Sequence, residues 1–233
     1  MVGNCERRSE RLYLWHSTRC SPSFEIQPVD ASIARIGPDF GEELRKWSKG
    51  AMTGSGIIYC PPLTTIFNGI LKIDTNTDTV TELDANLLPE RNYCWYCYWQ
   101  SCALPLDGCI YFMPCGVSHI MKLDPNNNDA ISSVRVDLVG DEHRKYIGTV
   151  VGIDGCLHGI PDHPPHRIVK YDPINDITSF IGEADTWIDC NAHCILGDGA
   201  LGRDGCIYVG RQVLKICTAN NSYATTNGWQ CFM

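Results

Sequence analysis

No apolar run in this 233-residue chain approaches the ~18 residues a membrane helix needs, so a membrane-spanning helix is not expected. The opening residues, MVGNCERRSERLYLW, are charged where the apolar core of a signal peptide would lie. Val2 separates Met1 from Gly3, which excludes the N-myristoylation pattern, and Cys231 stands one place too late for prenylation. Positive charge is also scarce: 19 Lys and Arg face 27 Asp and Glu, a formal net charge of -8. Nucleic-acid phosphates need a concentrated basic surface, so nucleic acid is not the expected partner. The chain has no G-x-S-x-G, no phosphate-cradling glycine loop, no dinucleotide fingerprint and no H-E-x-x-H. These absences make a soluble, cytoplasmic protein without a common catalytic motif the expectation.

What the chain has is repetition. Glycines at 56, 108, 155 and 205 recur at spacings of 52, 47 and 50, the last three each after an Asp. A lysine recurs at 72, 122, 170 and 215, inside ILKID, IMKLD, IVKYD and VLKIC. Before it runs a second apolar stretch, Ile57-Ile58-Tyr59, Cys109-Ile110-Tyr111, Cys156-Leu157-His158 and Cys206-Ile207-Tyr208. Pro61, Pro114 and Pro161 are expected to end that stretch, because proline cannot donate to a ladder. Turns rich in Asp, Asn, Pro and Thr follow the lysine, and a fourth run occupies 79–83, 130–134 and 177–181. Trp47, Trp99 and Tyr146 each stand nine residues before their turn glycine and mark where a first strand begins.

The unit is therefore four antiparallel strands in about 48 residues, the signature of a β-propeller blade. Approximate repeats are expected at 12–37, 47–83, 99–136, 146–182 and 196–226, the first without an evident first strand. They make one all-β domain over 1–233, about five blades forming either a closed ring or a section of a larger one. The runs DGCIYFMP with IMKLDP, and DGCLHGIP with IVKYDP, resemble Kelch-type and YVTN-type propeller repeats. They lack the paired glycines of Kelch blades and the Trp-Asp strand end of WD repeats. The resemblance implies a fold and transfers no function, since propellers host binding modules and enzymes alike.

Fourteen cysteines would form a disulfide framework in an oxidising compartment. Here Cys109, Cys156 and Cys206 occupy one repeated slot after Asp-Gly, so each is expected to be a buried thiol acting as a small hydrophobe. The repeated lysine is expected to snorkel.

Candidate function falls on the long connections at the opposite end of each blade from the Asp-Gly turns. Trp47, Trp99 and Tyr146 are expected to line one mouth of the channel, where aromatic faces could hold a sugar, base or peptide. His119, Asp162, His163, His166 and His193 belong to the same connections. Asp162-His163-Pro164-Pro165-His166 is a stiffened loop with two imidazoles and a carboxylate, weak candidates for a divalent metal. Cys94 and Cys97 have C-x-x-C spacing, and Cys190, His193 and Cys194 are the nearest match for a second pair. Two functions remain open. One is a non-catalytic scaffold that binds a protein or glycan and needs no cofactor. The other is a metal-dependent hydrolase resembling lactonase and gluconolactonase propellers. Those hold a divalent ion with inward Glu, Asn and Asp; no motif places such residues here, and Asp162, His163, His166 and His193 are stand-ins.

Overall fold

The computed structural model describes residues 5–8, 11–14, 24–28, 34–41, 46–64, 69–84, 98–135, 145–162, 167–182, 198–210 and 214–225. They form five four-stranded antiparallel sheets in which spatial order equals chain order. Blade 1 contains β1 (Cys5–Arg8), β2 (Arg11–Leu14), β3 (Phe24–Pro28) and β4 (Ala34–Ile36). Blade 2 contains β5 (Ala51–Met52), β6 (Ile57–Cys60), β7 (Gly69–Asp74) and β8 (Thr79–Asp84). Blade 3 contains β9 (Trp99–Ala103), β10 (Ile110–Pro114), β11 (His119–Asp124) and β12 (Ala130–Arg135). Blade 4 contains β13 (Tyr146–Val151), β14 (Leu157–Pro161), β15 (Ile168–Asp172) and β16 (Ile177–Ile181). Blade 5 contains β17 (Gly199–Leu201), β18 (Cys206–Val209), β19 (Leu214–Cys217) and β20 (Ser222–Thr225).

Two details differ from the sequence reading. Blade 1 does have a first strand, β1, hidden because its CERR sequence offers no apolar alternation. In blade 2 the proline equivalent to Pro114 and Pro161 is Pro62, not Pro61: Trp47 bridges Pro62 as Trp99 faces Pro114 and Tyr146 faces Pro161. The joint between blade 5 and blade 1, on which ring closure depends, lies outside the described residues.

The core lies between blades. Strands β10 and β14 are buried along their whole length, whereas β8 and β16 are largely open. A second strand is covered on both faces by its neighbours, which is why it reads as a continuous apolar run rather than an alternation. Tyr59 and Ile70 of blade 2 pack with Trp99, Ile110, Phe112 and Met121 of blade 3. Tyr111, Met113 and Ile120 pack in turn with Tyr146, Leu157 and Val169 of blade 4, and Ile160 and Ile181 with Ile207 and Ile216 of blade 5.

The repeated lysine does more than snorkel, and this corrects the sequence expectation. In each of blades 2 to 5 it lies directly across from the ring of the second strand: Lys72 from Tyr59, Lys122 from Tyr111, Lys170 from His158, Lys215 from Tyr208. A carboxylate stands beside each pair. Tyr208 Oη donates to Asp204 at 2.7 Å and Lys215 Nζ at 2.9 Å. Asp107 takes Tyr111 Oη at 2.7 Å and lies 3.8 Å from Lys122, and Asp154 takes Lys170 at 2.8 Å. Blade 2 has Ser55 where the others have Asp, and its acid comes from the next blade. Asp129 accepts from Tyr59 Oη and from Lys72 Nζ, both at 2.5 Å.

The Asp-Gly aspartates also close their own turns, accepting the amide of Cys109, Cys156 or Cys206 on Oδ1. The turn after the third strand of blades 2 to 5 ends in the left-handed region at Asp78, Asp129, Asp176 and Asn221, with φ between 52 and 56°. Asp and Asn tolerate that conformation best after glycine. Cys109, Cys156 and Cys206 are buried thiols.

His158 is the one departure from tyrosine in the lysine-paired rings. It is fully buried, Nδ1 lies 3.2 Å from the Cys156 carbonyl, and Nε2 stands 3.9 Å from Asp154 with no hydrogen bond. Burial holds its pKa below the ordinary value, an effect Lys170 reinforces and Asp154 opposes. The fold therefore favours neutral imidazole. Stability from this residue is complete above the unfolded value, near 6.5, and falls as pH drops below it toward the folded value. Denaturant midpoints measured from pH 7.5 to 5 should decline in the natural chain and less steeply in His158→Tyr. Some slope should survive, because burial lowers His119 in the same direction. Equal slopes would remove His158 from this account.

Candidate functional site: the channel mouth

The end of the blades opposite the Asp-Gly turns is built on a backbone ladder. The residue after each second-strand proline donates its N–H to the residue just before the aromatic: Leu63 to Lys46 at 2.8 Å, Cys115 to Tyr98 at 2.8 Å, Asp162 to Lys145 at 2.9 Å. Its carbonyl then accepts from the following blade, Leu63 from Tyr98 at 3.0 Å and Cys115 from Lys145 at 2.8 Å. Main-chain groups thus join blades 2, 3 and 4 at this mouth. Deeper in the channel, side chains add to the joint: Ser48 donates to the Gln100 carbonyl, Cys102 Sγ to the Lys49 carbonyl at 3.2 Å, and Ser101 meets Thr149 at 2.6 Å.

Strand register aligns Ala51, Ala103, Val150 and Ala200 opposite the ring-bearing residue of each second strand. Two places earlier stand Lys49, Ser101, Gly148 and Asp198. Lys49 of blade 2 and Asp198 of blade 5 form an ion pair, both partly open to solvent. Burial lowers the Lys49 pKa.

Trp47, Trp99 and Tyr146 hold equivalent places opposite Pro62, Pro114 and Pro161, each in a separate core cluster, and are buried side chains with 5%, 0% and 1% exposure. The indole N–H groups of Trp47 and Trp99 go to equivalent carbonyls at the start of the third strand, Gly69 at 2.8 Å and His119 at 3.3 Å. These rings fasten first strand to third. His119 is half-buried, its ring edge-on to Trp99 at 5.5 Å, with Nε2 unbonded and its pKa lowered by burial. Asp162 is buried at 1%, beside the ladder residue Lys145 at 3%. His163, His166 and His193, with Cys94, Cys97, Cys190 and Cys194, lie outside the described residues. Among the described residues no three His, Cys, Asp or Glu side chains converge to hold a metal ion.

Sequence reasoning missed a contrast at the other end. Leu106 and Ile153, at the tips of the Asp-Gly turns, and Ile174, in the following turn of blade 4, are 96%, 68% and 81% exposed. Their signal was legible: each is a large apolar residue where a turn requires only solubility.

No known protein family matches the chain, and no curated protein matches it in sequence. Solved structures do match its fold. A virginiamycin B lyase from Staphylococcus aureus aligns with TM-score 0.73 at 11% identity, over 99% of this chain and 71% of that one. A streptogramin B lyase aligns with TM-score 0.72 at 14% identity, over 98% of this chain and 69% of that one. A periplasmic gluconolactonase from Pseudomonas aeruginosa aligns with TM-score 0.61 at 12% identity, over 94% of this chain and 66% of that one. The chain is an all-β propeller of four-stranded antiparallel blades. These likenesses add nothing to the Kelch-type resemblance, and at such identity they concern the fold alone.

Proposed function

We propose that this propeller is a binding scaffold that presents its irregular mouth to a protein or glycan partner. One observation carries the reading: blades 2, 3 and 4 are joined at that end through main-chain hydrogen bonds, while buried indoles fasten first strand to third within blades 2 and 3. Repeat scaffolds place recognition on their irregular connections rather than on the groups that hold the blades together. Trp99 is unsuited to testing recognition, because its ring is wholly inside.

The double substitution His163→Ala/His166→Ala should weaken capture on protein and glycan arrays by about tenfold or more, the size of a lost anchor residue. Its melting curve should stay that of the natural chain. Leu106→Ser/Ile153→Ser/Ile174→Ser, at the opposite end, should leave capture intact. The reverse result would move the binding face to the Asp-Gly turns. Likeness in fold to a gluconolactonase supports a second reading, a metal-dependent hydrolase. It requires about one tightly held divalent ion per chain after purification, lost in the double histidine variant.

A further inference from the structure

Blade 5 departs from its siblings at one cross-strand pair. Position 57, 109, 156 or 206 opens the second strand, and the register sets it against position 74, 124, 172 or 217 at the end of the third. The partners are Ile57 with Asp74, Cys109 with Asp124, and Cys156 with Asp172. In blade 5 alone both are cysteine, Cys206 opposite Cys217, with Sγ atoms 3.2 Å apart and both thiols reduced.

The position favours closure. In blade 2 the neighbouring pair, Gly56 and Thr75, is joined by a backbone hydrogen bond at 3.1 Å. The Ile57–Asp74 pair, and by the repeat Cys206–Cys217, is therefore of the non-hydrogen-bonded type. There Cα atoms approach to roughly 4.5 Å and side chains come closest. That separation lies inside the range a disulfide spans, at its short end. Cys206 is buried and Cys217 half-buried, so a small oxidant reaches Cys217 first.

We propose that Cys206 and Cys217 are a reversible redox pair, oxidised by a peroxide to a disulfide that staples β18 to β19. Hydrogen peroxide converts the Cys217 thiol to a sulfenic acid and releases one water. Cys206 Sγ then attacks Cys217 Sγ, the S–O bond breaks, and the hydroxyl leaves with the Cys206 proton as a second water. Two thiols and one peroxide become one disulfide and two waters. A dithiol reductant reverses the change. This is a site separate from the mouth, and it stands whether or not the scaffold reading does.

The full-length folded protein, reduced and then treated with equimolar hydrogen peroxide, would be alkylated before and after unfolding and mapped by mass spectrometry. The expected product is a Cys206–Cys217 cross-linked peptide, about two mass units lighter than the reduced pair and restored by dithiothreitol. Cys217→Asp, which returns the residue of blades 2 to 4, should fold and yield no cross-link. Cys206 and Cys217 both fully alkylated after peroxide would overturn the proposal. So would Cys217 linked mainly to another cysteine, or a cross-link found only after unfolding.

Discussion

Trp99→Ala should cost the fold about 3–5 kcal/mol, measured as a shift in the guanidinium unfolding midpoint. The expected size follows from complete burial between blades 2 and 3, where Trp99 packs with Tyr59, Ile70, Ile110 and Met121. Against the total of roughly 5–15 kcal/mol typical of a folded domain, such a loss leaves the protein barely folded. Trp99→Phe separates the two contributions of the ring. It keeps most of the apolar contact and gives up the indole N–H that bonds the His119 carbonyl, a loss of about 1 kcal/mol plus a small void. A Trp99→Ala variant within about 1 kcal/mol of the natural chain would mean that the inter-blade core tolerates a hole there.

Asp129→Ala should be nearly as damaging, at about 2–4 kcal/mol, although the residue sits in a turn. Three losses coincide. Tyr59 Oη and Lys72 Nζ lose their common acceptor, and a left-handed position passes from a tolerant residue to one that resists it. Asp129→Asn keeps the conformation and one acceptor oxygen and should fall near half of that. The repeat itself supplies the decisive control. Ser55 occupies the place where blades 3, 4 and 5 carry the aspartate that serves ring and lysine. Ser55→Asp should therefore restore part of the stability of Asp129→Ala, while adding little to the natural chain. No rescue in the double variant would show that Asp129 acts through its turn and not through Tyr59 and Lys72.

The sequence made the blades legible because each strand type carries its own mark: an aromatic start, an Asp-Gly turn, a lysine, an Asx-rich turn. Where a mark is missing, the reading falters. Strand β1 has neither aromatic start nor apolar face, and adjacent Pro61 and Pro62 offered two registers of which one is used. The lysine was visible in every copy, but its partners were not. Strand pairing brings ring and lysine together across a loop, and in blade 2 the acid arrives from another repeat entirely. Trp47, Trp99 and Tyr146 were expected to line the mouth, yet sequence gives no sign of which way a ring turns, and all three are buried. Here two backbone carbonyls hold the indoles inward. A binding site in such a protein is harder to read than its scaffold, because recognition resides where the period is broken.

The ladder at the mouth has an evolutionary consequence. Its rungs are amides and carbonyls, which every residue supplies as acceptor and every residue except proline supplies as donor. Leu63, Cys115 and Asp162 share one geometric duty while having no chemistry in common. Drift at these places leaves the seam between neighbouring blades closed. A lineage could thus exchange the chemistry around its opening many times over while inheriting the same joined blades, and relatives would diverge fastest where they meet the outside world.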